Sequence, residues 1–203
     1  MDVYVESNFV LEVALLQEQH ESCEKIIALC ESGKTQLILP AYSFIEPYET
    51  IFRRVKKRRK VSNDLGDIVK QLSRSKPYQE EMDALKEKAT SFLIRSEEEE
   101  KDRLQDTIDK LLQVSQVIPL DSQILLSANK YKIEHDLSPQ DSIVYASVLS
   151  HLSRSSSSLK CFLNRNSKDF DDPDIEDTLK NYDCKMLFSF DDGYGYITNQ
   201  LDS

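Results

Sequence analysis

Glycine is scarce in this chain, four residues in 203, while glutamate, lysine and leucine are plentiful. That balance points to a helix-rich protein. Only three histidines are present, and the four cysteines (Cys23, Cys30, Cys161 and Cys184) form no C-x-x-C pair, which excludes the usual zinc spacing. Cys23 and Cys30 fall on one predicted helix and Cys161 in a predicted strand, so buried, reduced thiols are expected. The N-terminus has no basic segment followed by a long apolar one, as a signal peptide would. No apolar run approaches membrane-spanning length. A soluble, cytoplasmic protein without membrane partners is the expectation. The formal net charge of −10 excludes a generally nucleic-acid-binding surface. Any such contact must come from a local basic patch.

The apolar pattern alternates between strand-like and helix-like segments. Val3–Val5, 36–39, 117–120, 160–163 and 185–188 read as short buried strands. Helices are expected from Phe9 to about Cys30 and from near Ala41, with Glu46 in the early turns and Pro47 a source of a kink. Further helices are expected from Asp121 to about His135, from Ser138 to about Leu152, and from Asp172-Pro173 to about Asn181. Ser138-Pro139-Gln140-Asp141 combines an N-cap serine, a first-turn proline and an acid at the third position. Gly33 is a helix stop, and Gly193 and Gly195 are expected in a loop near the tail. From about residue 55 to 115 the chain turns polar and heptad-like. Two or three helices are expected there, broken near Ser75-Lys76-Pro77 and near Glu97–Glu100. This alternation implies one α/β domain over residues 1–203, in three α/β/α layers. Its central, mostly parallel sheet would have four or five strands, with a helical insertion at about 55–115.

Acidic or amide residues stand at four separated points, each at a predicted strand end or helix start. They are Glu6 in VYVESNF, Glu46 in LPAYSFIEP, Asp141 in SPQDSIVYAS, and Asn166 with Asp169 in FLNRNSKDF. Each has a structural explanation as a cap, a first-turn acid or a strand terminator. Together they could face one edge of the sheet, where open α/β folds keep their sites. Converging there, they would make a hard, oxygen-rich pocket suited to Mg²⁺ or Mn²⁺. A phosphatase or receiver site would need Asp-x-Asp or an adjacent acid pair, which Glu6-x-Asn8 does not supply.

The run Arg53, Arg54, Val55, Lys56, Lys57, Arg58, Arg59, Lys60 holds seven cations in eight positions. It follows the segment that carries Glu46, and a continuing helix would project it away from the acidic pocket. It could hold a phosphate backbone or pair with the acidic insertion, Glu80, Glu81 and Glu97–Glu100.

In motif order the chain resembles the PIN domain family of metal-dependent nucleases. Members begin with a strand and an acid-x-Asn signature, here Glu6-Ser7-Asn8. They carry an acid after the second strand, here Glu46, and a third at the start of a late helix, here Asp141. They end with a strand and a polar stretch closing on Asp-Phe, here Asn166, Asp169 and Phe170. The resemblance covers roughly residues 1–52 and 117–190. It implies a ribonuclease, of toxin or effector type, with Glu6, Glu46, Asp141 and Asp169 catalytic. Glu6, Asp141, Asp169 and Asn166 would hold Mg²⁺ or Mn²⁺, with Ser7, Asn8, Ser142 and Asn164 as positioning groups. RNA (or DNA), an antitoxin-like protein partner and a homodimer are the implied partners. Two positions depart from the pattern. Glu6 replaces the usual aspartate, displacing its carboxylate by about 1–1.5 Å. Asn166 stands nearest the usual fourth aspartate. These departures leave room for a catalytically weak module that binds RNA or protein.

Overall fold

The computed structural model of the chain describes residues 1–202, leaving aside the side chains of Gln79 and Asp83. Five short strands form one sheet: β1 (Asp2–Val5), β2 (Gln36–Pro40), β3 (Ser115–Ile118), β4 (Lys160–Leu163) and β5 (Cys184–Leu187). Their order is β3-β2-β1-β4-β5 and every pairing is parallel. Parallel neighbours require crossovers, and helices supply them on both faces. The side-chain period of two sorts the core. Val3, Val5, Leu37, Leu39, Cys161 and Leu163 point to one face, against α1 (Ser7–Leu15), α2 (His20–Glu31), α3 (Glu46–Leu72), α4 (Gln79–Val114) and α9 (Phe190–Leu201). Tyr4, Ile38, Phe162 and Cys184 point to the other, against α5 (Ser122–Glu134), α6 (Pro139–Leu152) and α8 (Pro173–Lys180). The result is the three-layer α/β/α sandwich, with five strands.

The stretch 55–114 is formed by two long helices, α3 (Glu46–Leu72) and α4 (Gln79–Val114), joined by a turn that includes Lys76–Tyr78. They form an antiparallel arm. Pro47 occupies its second position, where no intrahelical bond is lost, so the expected kink does not arise. The expected break at Glu97–Glu100 is also absent. Those acids lie within α4, and Glu97 and Glu100 pair with arginines of α3.

Two local readings are corrected, and one short helix is added. The helix expected from Phe9 to Cys30 is two helices, broken where Leu16 turns left-handed (φ 51°). There the buried Glu12 carboxylate accepts the Gln19 amide at 2.9 Å, ending one helix and seating the next. A short helix, α7 (Ser167–Phe170), follows β4. Gly193 and Gly195 lie inside a helix, α9 (Phe190–Leu201), capped by Ser189, not in a loop. A side chain at Gly193 would come within 2.8 Å of Leu163, so glycine there permits close packing of α9 on β4. All four cysteines are free, and three are buried. Among the described residues no helix is long and apolar enough to cross a membrane.

Candidate active site

The strand order reverses beside β1: the chain runs from β1 outward through β2 to β3, then returns to β4 on the other side. Loops leaving β1 and β4 therefore part, and a crevice opens at their C-terminal ends. Glu6 directly follows β1, Asn166 and Asp169 follow β4, Glu46 opens α3 after β2, and Asp141 lies in the first turn of α6. All five line one cleft of about 400 Å³, together with Ser7, Asn8, Thr50, Arg53, Arg54, Ser138 and Gln140.

Hydrogen bonds fix the carboxylates. Glu6 caps α1, one oxygen (Oε2) accepting the Asn8 amide at 2.8 Å, while its other oxygen is buried without a partner. The Ser7 hydroxyl donates to Glu46. The Ser138 hydroxyl donates to Asp141 and accepts the Asp141 amide at 3.1 Å, so Ser138 caps α6 as the sequence predicts. The Asn166 side-chain NH₂ donates to Asp141 at 3.1 Å and to Asp169 at 2.7 Å. It spaces two carboxylates that would otherwise repel.

Burial and mutual repulsion raise the carboxyls of this site above their ordinary range. Glu6 is pushed up to about 7, chiefly by burial and further by Glu46, against the pull of the Asn8 amide. Burial also raises Glu46, with Asp141 adding to the rise and Ser7 and Arg53 opposing it. Burial raises Asp141, opposed by Ser138 and Asn166 and reinforced by Asp169. Three neighbouring carboxyls shifted upward are what an uncompensated cation-binding pocket shows. Among the described residues, however, no three His, Cys, Asp or Glu groups stand at metal-binding separation.

Other expected residues lie elsewhere. Ser142 is buried with its hydroxyl on the Pro139 carbonyl, and Asn164 is buried beneath the site, its side-chain oxygen accepting the Asn166 amide at 2.7 Å. Neither lines the cleft. The basic run does not project away as a block. Arg53 and Arg54 line the cleft, while Arg58 forms a bidentate pair with Glu100 (2.6 and 2.9 Å) and Arg59 pairs with Glu97. Lys56, Lys57 and Lys60 are exposed.

Sequence reasoning missed several residues. Thr50 is one turn beyond Glu46 on the same helix face and Ser138 is three residues before Asp141, so helical spacing could have found these two; Gln140 is simply adjacent to Asp141. Glu12 and Arg165 were also missed. Glu12 is 1% exposed and pairs with Arg165, whose loop carries Asn164 and Asn166. Nothing local signals that contact, because the partners are 153 residues apart.

No curated protein matches the chain. One solved structure with a distantly similar arrangement is described as VapBC2 from Rickettsia felis bound to a DNA fragment from their promoter. It is 10% identical, with a TM-score of 0.41, covering 92% of this chain and 98% of that one. A PIN domain family model matches residues 3–170, most of the chain and all of the residues gathered at the cleft. On that match, the chain belongs to the PIN domain family, a family of nuclease type.

Proposed function

We propose that this protein is a metal-dependent endoribonuclease that hydrolyses RNA phosphodiesters at the cleft of Glu6, Glu46, Asp141 and Asp169. The carrying observation is that these four acids, from four distant segments, line one cleft in a PIN-family chain. We take residues 1–203 as one such domain, with about 55–115 as its helical insertion.

The donor set fits Mg²⁺ or Mn²⁺. The lining offers carboxylate and amide oxygens without histidine or cysteine, and Glu6 contributes a buried oxygen with no other partner. Glu6, Asp141, Asp169 and the Asn166 carbonyl would hold the ion, with Glu46 close by. When bound, a divalent cation lowers the pKa of water and stabilises negative charge on a phosphodiester. The chain's own groups set the stage. Ser7 and Ser138 orient Glu46 and Asp141, and the Asn8 amide holds one oxygen of Glu6 so that the other stays available. Because Glu6 keeps its proton up to about pH 7, its ligating carboxylate form predominates only above neutrality in the metal-free protein.

Asn166 favours a second reading. Its amide already joins Asp141 and Asp169, and the described acids do not form a three-ligand cluster. On that reading the chain is a catalytically weak module that binds RNA or a protein.

Cleavage of single-stranded RNA by the purified protein with Mn²⁺ or Mg²⁺ separates the two. We expect cleavage that EDTA abolishes and that Asp141→Asn slows by about 10²–10⁴-fold, a few kcal/mol of transition-state stabilisation. No cleavage with either ion, alongside an Asp141→Asn variant that folds and binds RNA like the parent, would install the second reading.

A further inference from the structure

The cleft is acidic, so an approaching phosphate backbone is repelled from most directions. Among its lining residues the cations are Arg53 and Arg54, both on α3. The Arg53 charge is felt inside the site, where it draws the Glu46 carboxyl back down. The helical period then decides where the rest of the basic run points.

Pro47, Ile51 and Val55 are the buried stripe of α3, and the next residue in that stripe is Arg58. This is why Arg58 meets Glu100 on α4, with Arg59 beside it on Glu97. These two cations are neutralised. A second stripe begins at the site and recurs at intervals of four and three: Glu46, Thr50, Arg53, Lys57, Lys60. It ends at Asp64, the next residue in line. Arg53, Lys57 and Lys60 are exposed, and none of them makes an ion pair among the described residues. The stripe thus carries three charges without an ion pair, Arg53 donating to Thr50 at 3.1 Å, in a line that starts at the acidic cleft and leads out along the arm.

We propose that Arg53, Lys57 and Lys60 form a track for a single strand of RNA, holding the nucleotides on one side of the phosphate at the cleft. The proposal rests on the ribonuclease reading for its substrate class. From Glu46 to Lys60 the helix rises about 21 Å, at 1.5 Å per residue. That spans about six nucleotides of a stacked strand at 3.4 Å each, and fewer of a stretched one. The track reads charge, so it confers a path and a length preference and leaves base identity unread. The acids of Asp64 and Asp67 end it, and the distal arm lies beyond its reach.

The test is the salt dependence of binding. A fluorescent oligouridylate of about twelve nucleotides is titrated with full-length protein carrying Asp141→Asn in EDTA, between about 50 and 200 mM salt. Each lost contact to a single strand removes about 0.7 from the slope of log affinity on log salt. The combined variant Arg53→Gln, Lys57→Gln, Lys60→Gln should therefore flatten the slope by about 2. A charge-matched control at the distal arm, Lys70→Gln, Lys76→Gln, Lys86→Gln, should keep the parent slope. The proposal is overturned if the track variant keeps the parent slope, if the control loses as much, or if the parent does not bind. Polyglutamate that displaces the oligouridylate, and does so less well from the track variant, would reassign the stripe to an acidic protein segment and also overturn it. Failure here is distinguishable from failure of the nuclease reading. Protein that cuts RNA with Mn²⁺ but keeps its slope in the track variant has a site and no track. Protein that binds through the stripe yet cuts nothing has a track and no nuclease.

Discussion

Glu6 shows how a single side chain can be poised for one task at the expense of another. Its folded pKa of about 7 lies above the ordinary 4.5, the reverse of a salt-bridged carboxylate. Below about pH 4.5 both folded and unfolded states are protonated and nothing is lost. Between about 4.5 and 7 the unfolded chain releases the proton while the folded one keeps it, so stability falls as pH rises. The loss is about 3 kcal/mol, complete above pH 7. Glu46 and Asp141, also raised, act in the same direction. Glu6→Gln should thus stabilise the metal-free protein by roughly that amount at pH 8, and much less at pH 5, while abolishing cleavage. Urea unfolding in EDTA at the two pH values checks it; a variant no more stable than the parent at pH 8 would contradict the assignment. Glu12 presents the opposite case, a buried carboxylate that is paired. Arg165→Met would leave it unpaired and should cost about 3 kcal/mol. Glu12→Gln with Arg165→Met should recover part of that loss, a coupling measurable by a double-mutant cycle.

At the scale of elements, α9 makes a sharp comparison because it holds two glycines two residues apart. Both forgo the helix propensity of alanine, worth about 1 kcal/mol. Gly195 has open space where a side chain would stand, whereas Gly193 lies against the fully buried Leu163 of β4. Gly195→Ala should stabilise by about 0.5–1 kcal/mol. Gly193→Ala should destabilise by about 1 kcal/mol, since overpacking costs more than the propensity returns. Chemical denaturation of the two variants decides; equal gains would mean that α9 does not pack on β4 as described. The pairs between α3 and α4 are of a different order. Arg59 is largely exposed, and breaking its pair with Glu97 should cost less than about 1 kcal/mol.

For the whole molecule, the arm and the sheet carry unequal shares of the core. Among the described residues between 56 and 103 the one buried hydrophobic residue is Val69, whereas Leu104, Ile108 and Leu111 at the base of α4 belong to the core beneath the sheet. Replacing residues 62–94 by a short turn should therefore preserve the sheet domain. The expected change in Tm is less than about 4 °C, equivalent to about 1 kcal/mol for a chain of this size. Thermal unfolding followed by circular dichroism measures it. Loss of cooperative unfolding would show that the arm is part of the folding unit.

Much of this architecture is legible in short stretches of sequence. Val3-Tyr4-Val5 and Lys160-Cys161-Phe162-Leu163 are apolar runs of strand length, and Ser138-Pro139-Gln140-Asp141 sets a helix start through local chemistry alone. Such features depend on neighbours within a turn, so they determine strands, caps and the positions of the acids. What local chemistry could not decide is anything that depends on a distant partner. The chain turns left-handed at Leu16, and the buried Glu12 carboxylate that receives the Gln19 amide there is held by Arg165, 153 residues away. Gly193 sits in a helix because Leu163 leaves room for nothing larger. Four acids share a cleft because the strand order reverses beside β1. Seven cations in eight positions look alike in sequence. Packing against α4 pairs Arg58 and Arg59 with Glu100 and Glu97, and the helical period leaves Arg53, Lys57 and Lys60 unpaired by those acids, in line with the site.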